Sequence, residues 1–297
     1  MLTRRRFAGL AVAAAGAALI APLKSRALLA DPLNSQTVST RSGLEFGVQL
    51  FMVRNLLNDL PSILHQIREV GYTHVEPFSA AYNRPAKELK SLIANNGLKA
   101  FSGHFDYATL EEKVDYAAEL GLKYMICPMI PPAQWDSLDG FRLAAEHLNK
   151  AAVKARAAGM NFGYHPHNYE FKPLQGQRGF DVLMQELDPA TKLQLDVYWA
   201  VEAGQNPLDL MRNNRSRLAL IHIKDRKPSK SFSFSPFDSM HTHNCTEAGS
   251  GTIDWTAVLG DARKFGVTQF IVDQDETGLT IEESLRTNWK YLSQLSV

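Results

Sequence analysis

The chain has 297 residues, 45% of them apolar and 21% charged, an ordinary globular composition with room for one large domain or two small ones. Disorder and a collagen-like repeat are excluded, and so is a disulfide framework, because two cysteines cannot staple so long a chain. The formal charge of +1 conceals an asymmetry: Arg4, Arg5, Arg6, Lys24 and Arg26 all precede the first acidic residue, Asp31.

That opening stretch, TRRRFAGLAVAAAGAALIAPLKSRA, joins a basic cluster to a long Ala/Leu/Val/Ile run and ends in small residues, Ser25 and Ala27. This is the layout of a cleaved export signal. The arginines before Phe7 resemble a twin-arginine signal, which carries folded proteins out of the bacterial cytoplasm. We therefore expect a signal peptide over 1–27, a linker over 28–43, and a periplasmic or otherwise exported protein with no stable membrane insertion after processing. The competing reading is a membrane anchor, for which Phe7 to Leu23 is only about long enough. Loss of the signal leaves 27 basic residues against 31 acidic ones, a charge of −4. A nucleic-acid partner is not expected on an acidic chain, since phosphate binding needs a basic face.

From Leu44 onward, short apolar runs alternate with longer amphipathic ones, the pattern of βα units around a parallel sheet. The strand-like runs are LEFGVQLF (44–51), YTHVEPF (72–78), LKAFSGHF (98–105), KYMICPM (123–129), MNFGYHP (160–166), KLQLDVY (192–198), LALIHIK (218–224) and TQFIVDQ (268–274). Five helical runs between them, 60–71, 85–97, 110–121, 141–159 and 255–266, each end at a Gly suited to terminating a helix. Eight such units in about 250 residues predict a (β/α)₈ TIM barrel over 44–297. A doubly wound sheet is the alternative, but GVQLFMVRN supplies no glycine-rich phosphate turn. Cys127, inside YMICPM, is expected to be a buried, inert thiol.

In such a barrel the C-terminal strand ends build the active site. Here they carry Gln49, Glu76, His104, the segment His165/His167/Glu170, Asp196, His222 with Lys224 and Asp225, and Asp273 with Asp275. Imidazoles mixed with carboxylates suit a divalent cation such as Mn²⁺, Co²⁺, Zn²⁺ or Mg²⁺. Blander readings stand beside these. His65 and His74 are expected on surfaces, Lys224 and Asp225 to pair with one another, His104 to be a satisfied histidine under a loop, and the HTHNC run (241–245) to be loop polarity.

GVQLFMVRN, GYTHVEPF, YHPHNYEF, LQLDVYWAVEAGQNP, RLALIHIKD, GSGTIDW and IVDQDE together resemble the sugar phosphate isomerase/epimerase family, whose fold is the xylose isomerase-like TIM barrel. The resemblance covers most of the chain after the signal. It implies one divalent metal held by Asp196 and His222, with the first carboxylate position open between Glu170 and His165 and the last filled by Asp273 where the family commonly has Glu. It also implies proton abstraction beside a sugar carbonyl by bases drawn from Glu170, Asp273 and His165. Glu76, His104, His167, Trp199 and Lys224 would contact the substrate. The expected partner is a small-molecule sugar or glycoside; a homo-oligomer stays open. Three functions remain in view: an isomerase or epimerase, a lyase acting on 3-keto glycosides by β-elimination, and a non-catalytic sugar-binding barrel.

Overall fold

The computed structural model describes residues 40–237 and 244–297. The signal and most of the linker, and His241 and His243 of the HTHNC run, lie outside the described residues. Eight parallel strands form one sheet: β1 (Phe46–Gln49), β2 (His74–Glu76), β3 (Ser102–His104), β4 (Tyr124–Cys127), β5 (Asn161–Tyr164), β6 (Lys192–Asp196), β7 (Leu218–Ile223) and β8 (Gln269–Val272). Their order is β2-β1-β8-β7-β6-β5-β4-β3. The two ends of this sheet meet at Lys99, whose carbonyl accepts from Val75 N at 2.8 Å and whose N–H donates to Thr73 O at 3.2 Å, so the barrel nearly closes. The predicted fold is the observed one.

The helices are α1 (Leu60–Val70), α2 (Ala86–Asn95), α3 (Val114–Leu120), α4 (Leu138–Ala157), α5 (Gly179–Glu186), α6 (Val197–Glu202), α7 (Pro207–Asn213), α8 (Trp255–Lys264) and α9 (Ile281–Leu292). In α1 the buried residues Leu60, Ile63, Leu64, Ile67 and Val70 recur at helical spacing, each contributing about 1.5–3 kcal/mol by leaving water. The five glycines expected at helix ends all have positive φ, from 69° at Gly97 to 125° at Gly71, a conformation that side chains with a Cβ resist. Helix α9 opens with a reciprocal cap between Thr280 and Glu283. All eight strands stop one or two residues before the predicted runs end, and in two of them the chain turns directly into a helix. Leu50 and Phe51 enter a 3₁₀ segment after β1, and Val197 and Tyr198 enter α6 because Asp196 Oδ1 caps it, accepting from Trp199 N at 2.9 Å.

Alternation along the strands decides what faces the barrel axis. Tyr124, Ile126, Leu220 and Ile271 form a separate apolar plug inside the barrel. On the same faces, two residues onward, β7 and β8 turn polar with His222 and Asp273. His74 corrects an expectation: it shares the inward face with Glu76, is 1% exposed, and packs where Gly47 has no Cβ to oppose it. Burial lowers its pKa to about 4. Cys127 is buried and free, as expected, and burial pushes its thiol up to about 12. Among the described residues no helix is long and apolar enough to cross a membrane.

Candidate metal and sugar site

At the C-terminal mouth the inward-facing ends of β2, β3, β5, β6, β7 and β8 converge. Ligand atoms of His165, Asp196, His222 and Asp273 all lie within 4.8 Å of one another, and His104, His165 and His222 form an overlapping group. Two oxygens of this set, Asp196 Oδ2 and Asp273 Oδ1, are buried without a hydrogen-bond partner. Buried carboxylate oxygens are costly unless a cation or donor satisfies them. The donor set of two imidazoles and two carboxylates, with those orphaned oxygens, fits a divalent ion.

Beneath it lies Glu76, fully buried. It accepts from Gln49 Nε2 and Gln194 Nε2, each at 2.8 Å, and its Oε2 lies 2.6 Å from His222 Nε2 and 3.2 Å from His104 Nε2. Burial raises its pKa, but the neighbouring His104 and His222 outweigh that and hold the carboxyl well below its usual range. His222 is the converse: burial disfavours its charge, yet Glu76 and Asp273 lift it to about 10. Gln194 ties the histidines together, its Oε1 lying 2.6 Å from His104 Nε2 and 3.1 Å from His165 Nδ1. Sequence reasoning missed Gln194. A register shift of β6 against β7 falls at Leu193/Gln194, and nothing in KLQLD announces it.

Lys224, two residues beyond His222 on the same face, is wholly buried. Its ammonium contacts Asp275, lies 3.4 Å from Asp196 Oδ2 and 3.7 Å from Asp273 Oδ2, and sits 4.6 Å from the Trp199 ring centroid. Burial disfavours its charge, but Asp196, Asp275 and Asp273 together keep it firmly protonated. The expected pairing with Asp225 is corrected, because consecutive residues of an extended chain point in opposite directions. Asp225 turns away to accept from Gly249 N, Ile253 N and Trp255 Nε1 at 2.9–3.1 Å, anchoring the GSGTIDW loop.

A cavity of about 400 Å³ opens above the cluster. His104, His165, His167, Trp199 and Asp273 of the predicted set line it, together with Gln49, Asp275 and the unforeseen Asp106 and Ser79. His167, its Nδ1 unpartnered, is kept neutral by burial, which lowers it to about 3. Glu76 and Lys224 are expected contacts that do not reach the cavity lining; both are fully covered and act on their neighbours. Glu170 stands apart from the cluster. It follows His167 on a short 3₁₀ turn, where its Oε1 accepts from Tyr164 OH at 2.6 Å and its Oε2 from His167 N at 3.0 Å, and burial raises its pKa to about 8. The position left open between Glu170 and His165 thus brings His165, not Glu170, to the cluster.

Eight parallel strands with imidazoles and carboxylates gathered at their C-terminal mouth define the class of (β/α)₈ TIM barrels. The model of the xylose isomerase-like TIM barrel family matches residues 64–289, and the chain belongs to that family. A sugar phosphate isomerase/epimerase from Parabacteroides distasonis superposes with a TM-score of 0.70 at 25% identity, covering 89% of this chain and 97% of that one. A 3-keto-D-glucoside 4-epimerase from E. coli gives 0.62 at 19%, covering 84% and 98%. The inosose dehydratase of Geobacillus kaustophilus is 23% identical over 190 residues, 55% of this chain, which spans 61% of that relative's length. Two further solved barrels hold ions: one binds a zinc atom (TM-score 0.65, 14% identity, 83% and 96% covered), and one from Mycobacterium smegmatis is in complex with magnesium (0.60, 15%, 84% and 95%).

Proposed function

We propose that the protein is a divalent-metal-dependent isomerase or epimerase that abstracts a proton from carbon next to the carbonyl of a sugar or keto-sugar. The observation that carries this reading is the convergence of His165, Asp196, His222 and Asp273, two of whose buried carboxylate oxygens accept no hydrogen bond, with His165 and Asp273 of the four reaching the cavity. A divalent ion held by these four residues would supply a Lewis-acid pull on the substrate carbonyl. Around it the chain's own groups do the rest. His104 and Gln49 face the cavity and offer hydrogen bonds to hydroxyls, while the Trp199 ring presents an apolar surface to a sugar face. Proton transfer falls to the cavity-facing His167 and Asp275, the first an imidazole that burial keeps neutral. Epimerisation needs a base on each face of the planar intermediate.

A second reading is supported by the cavity's volume of about 400 Å³, which leaves room for a substituent beyond one sugar ring. In a 3-keto glycoside, removal of the proton beside the ketone would let the electron pair expel the neighbouring glycosidic oxygen, which leaves with its aglycone. Only one base is required. We also take the enzyme to work outside the cytoplasm, on the strength of the TRRRF run and its apolar sequel. Arg4→Lys with Arg5→Lys should then leave an unprocessed precursor in the cytoplasm.

The deciding experiment combines metal analysis of purified protein with solvent-deuterium incorporation into free sugars, keto-sugars and 3-keto glycosides. About one ion per chain and metal-dependent exchange at the carbon beside the carbonyl are expected. Occupancy below a few per cent with no activation by Mn²⁺ or Co²⁺ would leave a sugar-binding barrel without catalysis.

A further inference from the structure

We propose that the cavity carries an aromatic subsite above its polar floor, so that the ligand is an uncharged glycoside with an apolar ring as aglycone and not a sugar phosphate. The proposal rests on the sugar-site reading above. The upper wall of the cavity is formed by Phe51, Phe78, Pro128, Met129, Pro236 and Phe237. Such a wall leaves no partner for hydroxyls but suits a flat ring, and about 400 Å³ lies within the range of drug-sized ligand pockets.

The wall is preset. The Phe51 ring lies 4.4 Å from the Arg54 guanidinium and meets Phe78 edge-on, with centroids 5.3 Å apart. Arg54 is itself held by the backbone oxygens of Phe51 and Asp275 at 3.1 and 2.7 Å. From another loop, Phe237 lies near-parallel to Trp135 at 5.7 Å, and Trp135 stacks on Tyr169 at 3.9 Å. Phe237 is nevertheless 50% exposed, an apolar ring supported from within and open at the cavity. An added ring would cover it and gain both buried area and ring–ring contact.

Charge points the same way. Among the described lining residues there is neither Lys nor Arg, whereas Asp106, Asp273 and Asp275 all face the cavity. Arg54 and Lys224 are committed to the contacts already given. A phosphate dianion would enter among carboxylates with no side-chain cation free to receive it.

The test is calorimetric titration of the full chain, loaded with Mn²⁺, with methyl β-D-glucoside, phenyl β-D-glucoside and glucose 6-phosphate. Phenyl glucoside should bind about tenfold more tightly than methyl glucoside, as burial of one aromatic ring requires. Glucose 6-phosphate should bind no more tightly than methyl glucoside. In Phe237→Ala and in Phe51→Ala, with folding verified by circular dichroism, the preference for the phenyl ring should shrink to about threefold or less. Equal affinity for the two glucosides, no binding of either, or tighter binding of the phosphate would overturn the proposal. Deuterium exchange reads the underlying reaction independently. Loss of exchange with the phenyl preference intact sustains the subsite while removing the reaction, and exchange without that preference removes the subsite alone.

Discussion

His222 Nε2 lies 2.6 Å from Glu76 Oε2, joining β7 to β2 across the barrel. The contact leaves Nδ1 of the imidazole facing Asp273, 3.1 Å from its Oδ2. A histidine whose remote nitrogen is held by a carboxylate is oriented and made more basic toward an ion at its other nitrogen. Glu76 therefore acts through His222. Glu76→Gln should keep about one metal per chain at saturation but weaken binding about 10–100-fold, the usual cost of losing such a partner. Competition with a chelating dye measures this, and an unchanged affinity would contradict it.

Asp196 has divided duties, since Oδ1 caps α6 while Oδ2, 3.4 Å from the Lys224 ammonium, accepts no hydrogen bond and is the oxygen an ion would take. Asp196→Asn keeps a capping oxygen and should retain native ellipticity while metal content falls at least about tenfold. Asp196→Ala should lose the metal and also about 1 kcal/mol of stability, the typical worth of a cap. His222→Ala should lose the metal with the barrel still folded. Metal analysis beside thermal denaturation separates these outcomes, and full occupancy in both Asp196→Asn and His222→Ala would remove the proposed ligand set.

The fold was legible because hydrophobic periodicity and terminal glycines are local signals, and eight βα repeats leave few closed arrangements. The inward direction of Asp196, His222 and Asp273 followed from the same arithmetic, each standing at a strand end. Partnerships formed across the barrel were not legible. Gln194 contacts Glu76 at a separation of 118 residues, and no pattern in KLQLD foretells it. His74, by contrast, was legible, because Glu76 stands at a strand end and period-two alternation puts the residue two before it on the same inward face, which the surface reading overlooked. Glu170 misled for a different reason. After Tyr164 the chain leaves the strand, so alternation no longer predicts direction, and a carboxylate in YHPHNYEF reads as a ligand until its hydrogen bonds are seen.

Lys224 brings one positive charge to three carboxylates, those of Asp196, Asp273 and Asp275. Removing one partner of a buried ion pair typically costs about 3–5 kcal/mol, because the opposing charge stays buried. Lys224→Met should therefore destabilise the metal-free protein by about that amount, read by urea denaturation in the presence of a chelator. A divalent ion would replace part of the missing positive charge. Stabilisation by saturating Mn²⁺ should accordingly be larger in the variant than in the parent. Equal stabilisation of the two would mean that lysine and metal do not share these carboxylates.

Glu170 gives a prediction with opposite signs for a structural and a catalytic role. Burial raises its pKa from 4.5 to about 8 in the folded protein. Below about pH 4.5 both folded and unfolded chains hold the proton, and the contribution to stability is complete. As the pH rises toward 8 the unfolded chain has released the proton and the folded one has not, so stability falls with pH, by at most about 1.4 kcal/mol per unit. Glutamine can donate to Tyr164 OH and accept from His167 N without carrying a charge. Glu170→Gln should thus match the parent near pH 5 and become progressively more stable by pH 8, while keeping its metal. Denaturation midpoints at the two pH values, with metal content, check this. A pH-independent difference, or loss of the ion, would return Glu170 to the ligand set.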